Sequence, residues 1–321
     1  MNRSSPEPSR AALIEMIVGA AAISTTSLFV KLAHVAPTVS AFYRMAFGGA
    51  MLLIGLVALR RWQRPRAIDF AWLLVPAFAF AVDLMLWHRS ILYVGPGLAT
   101  LLGNFQVFLM ALAGFVLYRE SLGWRFAAGV ALGFVGLYLL VGLDWSAAGE
   151  QYRLGVVLGI VTGIAYAVYM LSTRHAQRGG HVRLAPAQLL CVSSLLCAAV
   201  LGIAGFVEGE SFVLPDAQTT WSLLGLAFFG QVLGWVLLTR AMPQLPASLI
   251  GLLLLLQPAL SFVFDVILFA RPTRTTDWIG VGLSLVGIFI GSYRRPAPAA
   301  EPEARPPEAR QSEPRQSRTR A

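Results

Sequence analysis

The chain has 321 residues, 57% of them hydrophobic and only 13% charged. Soluble domains carry roughly 25% charged residues, so this composition excludes a water-soluble globule. It also leaves no soluble domain on which the formal charge of +9 could form a basic face for nucleic acid.

Ten apolar segments are long enough to cross a bilayer, at about 17–25 residues each. They run over 12–32, 37–59, 70–92, 96–118, 124–142, 154–173, 185–207, 219–240, 246–269 and 276–293. Each is expected to be a helix, because a spanning backbone must satisfy its own hydrogen bonds. The fold class is therefore all-α integral membrane.

The first segment follows Arg3 and Arg10 and carries Glu15. It is longer than a signal-peptide core and lacks a clear small-residue cleavage site, so it reads as a retained helix after a cytoplasmic N-terminus of residues 1–11. Glu15 sits about a turn inside the membrane and can snorkel to the interface. The second segment holds Arg44 and the third holds Asp83, Trp87, His88 and Arg89. Arg44 lies roughly 10 Å from one end of its helix and Asp83 roughly 14 Å from the matching end of its own, at ~1.5 Å per residue. A charge at the bilayer centre costs about 2.5–3.5 kcal/mol. Two readings follow: Asp83 and Arg44 tie two helices together, or they face a cavity and meet a charged solute or a proton.

The fourth segment carries the amides Asn104 and Gln106. A linker over 143–153 separates the fifth segment from the sixth. The sixth has Gly155, Gly159 and Gly163 at four-residue spacing, followed by Tyr166 and Tyr169. Such glycine faces permit close helix approach. The seventh holds Cys191 and Cys197 on different faces, which argues against a disulfide or a metal pair. Gln231 and Trp235 lie in the eighth segment, Gln257 and Pro258 in the ninth. The tail over 294–321 alternates Pro, Glu, Arg and Gln and is expected to be disordered.

Arginine placement orients the chain. With the N-terminus in the cytoplasm, 19 basic residues fall at inside loops and helix ends and five at outside ones. The positive-inside rule then puts both termini in the cytoplasm, and the expected location is the inner (plasma) membrane.

The halves over 12–142 and 154–293 resemble one another. "GVALGFVGLYL" (129–139) aligns with "GVGLSLVGIFI" (280–290) at an offset of 151, which also superposes Gln106 on Gln257. "AFAVDLMLW" (79–87) aligns with "AFFGQVLGW" (227–235) at an offset of 148, matching Asp83 to Gln231 and Trp87 to Trp235. Each half holds five helices, an odd number, so the second enters from the opposite side. Two inverted five-helix repeats are the plan of many secondary transporters, whose sites lie near the midplane between the halves.

"SAFYRMAFGGAMLL" (40–53), the run from Leu86 to Leu122 and "PASLIGLLLLLQPALSFVFDVILF" (246–269) resemble the EamA-type ten-helix group of the drug/metabolite transporter superfamily. Arg44, Glu120 and the Gln257–Pro258 pair match that group's pattern. Arg271 departs from it, standing where the second half ordinarily repeats an acidic residue. The resemblance implies transport of a small organic solute, often outward: an amino acid, a metabolite or a drug-like compound.

The residues expected to meet the solute are Asp83, Trp87, Gln231, Trp235, Arg44, Asn104, Gln106, Gln257 and Tyr166. Amides suit a zwitterion, and aromatics beside polar groups suit a mostly apolar pocket. Packing and interhelical hydrogen bonding remain the alternative roles for the aromatics and amides. No HExxH, GxxxxGK[ST] or GxSxG pattern occurs, so neither an enzyme nor a cofactor is expected. Lacking a nucleotide loop, uphill movement would draw on exchange or an ion gradient, with a proton the candidate ion. A sugar-phosphate carrier would need several cationic clamps. A structural or sensory membrane protein would tolerate loss of the midplane polar residues.

Overall fold

The computed structural model describes residues 9–117, 119, 123–141, 149–178, 180–269 and 273–292. Glu120, Arg271, most of the 143–153 linker and the tail lie outside the described residues, as do the expectations placed on them. Among the described residues the chain is helical, without strands. The α-helices are α1 (Arg10–Ser24), α2 (Thr26–Leu32), α3 (Pro37–Ala58), α4 (Ala67–Gly103), α5 (Gln106–Val116), α6 (Trp124–Val141) and α7 (Glu150–Arg178). They continue as α8 (Pro186–Val207), α9 (Ala217–Gly225), α10 (Trp235–Ala241), α11 (Ala247–Leu254), α12 (Leu256–Phe269) and α13 (Thr275–Ser292). A π-helix, Leu226–Gly234, joins α9 to α10. Seven helices or helix runs are long and apolar enough to span a membrane, and shorter apolar helices accompany them.

The expected boundary between the third and fourth segments is not a gap in the helix: α4 is assigned continuously from Ala67 to Gly103. The chain nevertheless reverses within it. A Cβ added to Gly159 would lie 2.7 Å from Leu102 Cβ and 3.0 Å from Ser90 Oγ. In a straight helix those twelve residues would be about 18 Å apart. The third and fourth segments are thus separate crossings joined by a tight helical turn.

The helices alternate in direction. On the face where α1 begins, called the near face, Glu15 pairs with Arg240 at 2.9 Å. At the opposite, far face, His34 meets Asp216 at 3.0 Å and Thr38 donates to Glu208 at 2.8 Å. Between them the first and eighth segments run antiparallel, with Gly19 against Leu238, Ile23 against Gly234, Thr26 against Gly230 and Phe29 against Gly225. The principal pairings obey the repeat. The first and eighth segments pack together, as do their counterparts, the sixth and third. The second packs on the seventh, the fourth on the ninth and the fifth on the tenth, each on its own equivalent.

Close approach uses the glycines. In the pair α6 and α13, a Cβ on Gly129 would lie 2.5 Å from the Gly287 carbonyl oxygen, and one on Gly136 2.4 Å from that of Gly280. Lipid is as apolar as leucine, so helices associate through van der Waals fit. Gly129→Val is expected to cost about 1–3 kcal/mol through overpacking. Thermal unfolding in detergent would register it as a lowered midpoint, whereas the same change at Gly282, whose Cβ position is open, should be near neutral.

Candidate functional site

Helical continuity fails at one level of the membrane in four places. The first segment breaks at Thr25, where a Ser-Thr-Thr run turns its hydroxyls back on the chain: Ser24 to Ala21 O (2.6 Å), Thr25 to Ala22 O (2.7 Å) and Thr26 to Ile23 O (2.7 Å). Such bonds compete with the helical ladder. The fourth breaks at Asn104–Phe105, where Asn104 Nδ2 bonds Thr100 O at 2.6 Å. The ninth breaks at Leu255, between α11 and α12, at the repeat equivalent of Asn104. The eighth widens into the π-helix.

A cavity lies among these irregular points. Its lining includes Arg44, Asp83, Trp87, Asn104, Tyr166, Trp235 and Gln257. Toward the near face it rests on an aromatic floor. Phe80 stacks on Tyr169 at 4.2 Å, and Trp235 meets Phe80 edge-on at 5.2 Å and Tyr169 at 4.8 Å. Beyond the floor, Met16, Leu238, Leu245 and Ile250 are fully buried. Arg174 and Arg178 close the near-face loop, donating to Leu245 O (3.1 Å) and Pro243 O (2.7 Å). The cavity is therefore sealed toward the near face.

Arg44 and Asp83 are 3% and 6% exposed. No hydrogen bond or ion pair to a described residue engages the Asp83 carboxylate or the Arg44 guanidinium. Arg44 lies over the Phe80 ring, 5.8 Å from its centroid. Gly230 is its neighbour on the eighth segment: a Cβ there would stand 3.6 Å from Nη2, an ordinary contact. Other polar atoms of cavity-lining residues have no hydrogen-bond partner among the described residues: Asn104 Oδ1, Trp235 Nε1, Gln257 Nε2 and Arg44 Nε. Leaving such groups unsatisfied costs about 1–3 kcal/mol each. Together they present a carboxylate, a guanidinium, two neutral donors and an amide acceptor to one space.

Two expected residues lie elsewhere. Gln231 is turned from the cavity: its amide donates to Ser194 Oγ at 2.8 Å and its Cβ and Cγ fill the space beside Gly48. The π-helix sets that direction, because it wraps about 4.4 residues per turn where the sequence pattern assumed 3.6. Gln106 is fully buried behind the break, with both amide atoms unpartnered. Ser24, Thr26, Ser27, Thr100, Thr162, Ser261 and Phe80 line the cavity without having been singled out. The Ser-Thr run of the first segment was the available signal. So was the spacing of Phe80, one turn before Asp83. Glu15 is taken up by Arg240 at the near face.

Among the described residues, helices surround a central cavity lined by an arginine and an aspartate. The chain belongs to the EamA-like transporter family, whose profile matches residues 10–142 and 153–293, one match to each repeat. An uncharacterized transporter of Haemophilus influenzae is 23% identical over 224 residues, covering 67% of this chain and 70% of that protein. One solved crystal structure superposes with a TM-score of 0.73 at 17% identity, over 87% of this chain and 95% of its own. At that identity the likeness shows the fold alone.

Proposed function

We propose that the protein is a secondary transporter that carries a small zwitterionic organic solute across the inner membrane by alternating access, in the export direction. The observation that carries this reading is the Arg44–Asp83 couple, buried in a single cavity with no hydrogen bond or ion pair to a described residue. A solute bearing a cationic and an anionic group offsets both charges at once, and its apolar body rests on Phe80, Tyr166 and Trp235. Among the described residues Arg44 is the one cation lining the cavity, which favours a carboxylate over a phosphate. The arginine distribution makes the near face cytoplasmic and keeps both termini there. In this orientation the structure holds the cavity shut toward the cytoplasm. Asp83 serves as the proton carrier when no solute cation occupies it.

Proteoliposomes loaded with a panel of radiolabelled amino acids, amines and carboxylates test the proposal. Zwitterions are expected to move, while their singly charged analogues move at least about tenfold more slowly. Equal rates for singly charged analogues would overturn the zwitterion assignment, and no flux for any solute would overturn transport itself.

A further inference from the structure

The two halves share a sequence pattern but not a helical register. In the third segment α4 is regular around Asp83, so the Trp87 amide bonds one α-turn back, at Asp83. In the eighth, the aligned Trp235 amide bonds Gly230 instead, five residues back, at the end of a nine-residue π-helix. A π-helix ordinarily occupies a single turn, so this one stores an extra residue at a cost. It brings Gly225 and Gly230, five apart, onto the face that meets Phe29 and Thr26. In an α-helix those two positions would lie about 140° apart.

We infer that this π-helix is a one-residue register switch that, in the alternative state, brings the Gln231 side chain into the cavity beside Arg44. The inference rests on the transport reading. α10 is the anchored end, held by Arg240 on Glu15, by Gln177 on Thr239 O (3.0 Å) and by the packing of Trp235. With α10 fixed, relaxation to α-geometry moves the Trp235 hydrogen bond from Gly230 O to Gln231 O. Gln231 then takes the place of Gly230, whose Cβ direction points at Thr26 and Arg44.

Three features favour the exchange. The amide oxygen of Gln231 is buried without a partner among the described residues, and Arg44 would supply one. The relaxed register reproduces the Asp83–Trp87 relation, as expected when two inverted repeats trade conformations between states. The end that must turn, α9, is held at the far face by three polar contacts: two exposed ones, His34 to Asp216 and Gln218 to Leu32 O at 3.2 Å, and the part-buried His34 N–H to Thr219 Oγ1 at 3.1 Å. A side chain at the Gly230 position also cannot coexist with the present spacing to Thr26, 2.7 Å from a Cβ there. The switch therefore wedges the first segment from the eighth.

Thiol bridging in the full-length protein, in phosphatidylethanolamine/phosphatidylglycerol vesicles, tests this. In a Cys191→Ser/Cys197→Ala background, Ser194→Cys with Gln231→Cys reports the described register and Thr26→Cys with Gln231→Cys the shifted one. A short bifunctional thiol reagent is expected to bridge both pairs at least tenfold above Thr26→Cys with Phe228→Cys, whose second position is half-exposed. Deleting Gly230 removes the extra residue and leaves Gln231 four residues before Trp235. The deletion variant is expected to keep its melting midpoint within a few degrees, to bridge 26 with 231 constitutively and to lose the 194–231 bridge. No bridge between 26 and 231, or a deletion variant that unfolds, overturns the switch. Bridging needs no solute, so flux without the bridge counts against the switch alone, and the bridge without flux counts against transport.

Discussion

Asp83→Asn is expected to lower solute transport roughly 10- to 150-fold, with protein abundance and helix content unchanged. A hydrogen bond to a charged partner is worth about 1.5–3 kcal/mol, and every 1.4 kcal/mol is tenfold in affinity. Asparagine keeps the shape and one acceptor, replaces the other oxygen with an NH2 donor and loses the charge. It also leaves the Arg44 guanidinium, buried over Phe80, without a counter-charge in the same cavity. Arg44→Gln should do the converse and weaken carboxylate-bearing solutes most. Because both charges sit in one cavity, the double variant should lose less stability than the sum of the singles. Flux in proteoliposomes, with melting curves on the same preparations, separates binding from folding. Wild-type flux through Asp83→Asn would remove this carboxylate from the site.

Trp235 is the second large effect. It is 1% exposed and joins the eighth segment to Phe80 on the third and Tyr169 on the sixth. Truncating a buried tryptophan to alanine costs about 3–5 kcal/mol. Trp235→Ala is expected to drop the melting midpoint and to open a leak through the floor, read as dissipation of a preset solute gradient. Trp235→Phe keeps most of the packing and removes the indole donor, which has no partner among the described residues. It should hold the gradient and weaken solute affinity about 2- to 12-fold, the value of one neutral hydrogen bond. Unchanged affinity in Trp235→Phe would assign Trp235 to packing alone.

The chain's large-scale plan was legible because the bilayer enforces it. Crossing length and backbone satisfaction mark the segments, and the matched runs at 129–139 and 280–290 mark the repeat. Arg44 and Asp83 stood out for the same reason, since a charge in an apolar run needs a use. The amides were harder. Helices in a membrane are apolar on every side, so no amphipathic stripe says which face is inward. Asn104 and Gln106 are two residues apart, yet the first lines the cavity and the second lies behind a helix break.

By itself, then, the sequence determined an all-helical membrane protein of two inverted repeats with an arginine and an aspartate committed to its midplane. Only the tertiary structure decided that these two charges face a common cavity without bonding each other, and that Gln231 turns to Ser194. The physical reason is the same in both cases. The direction of a side chain follows from local hydrogen-bond register and from what the neighbouring helices leave room for. One extra residue in the turn before Trp235, and a glycine where a side chain would strike Thr26, are settled by packing between segments far apart in sequence.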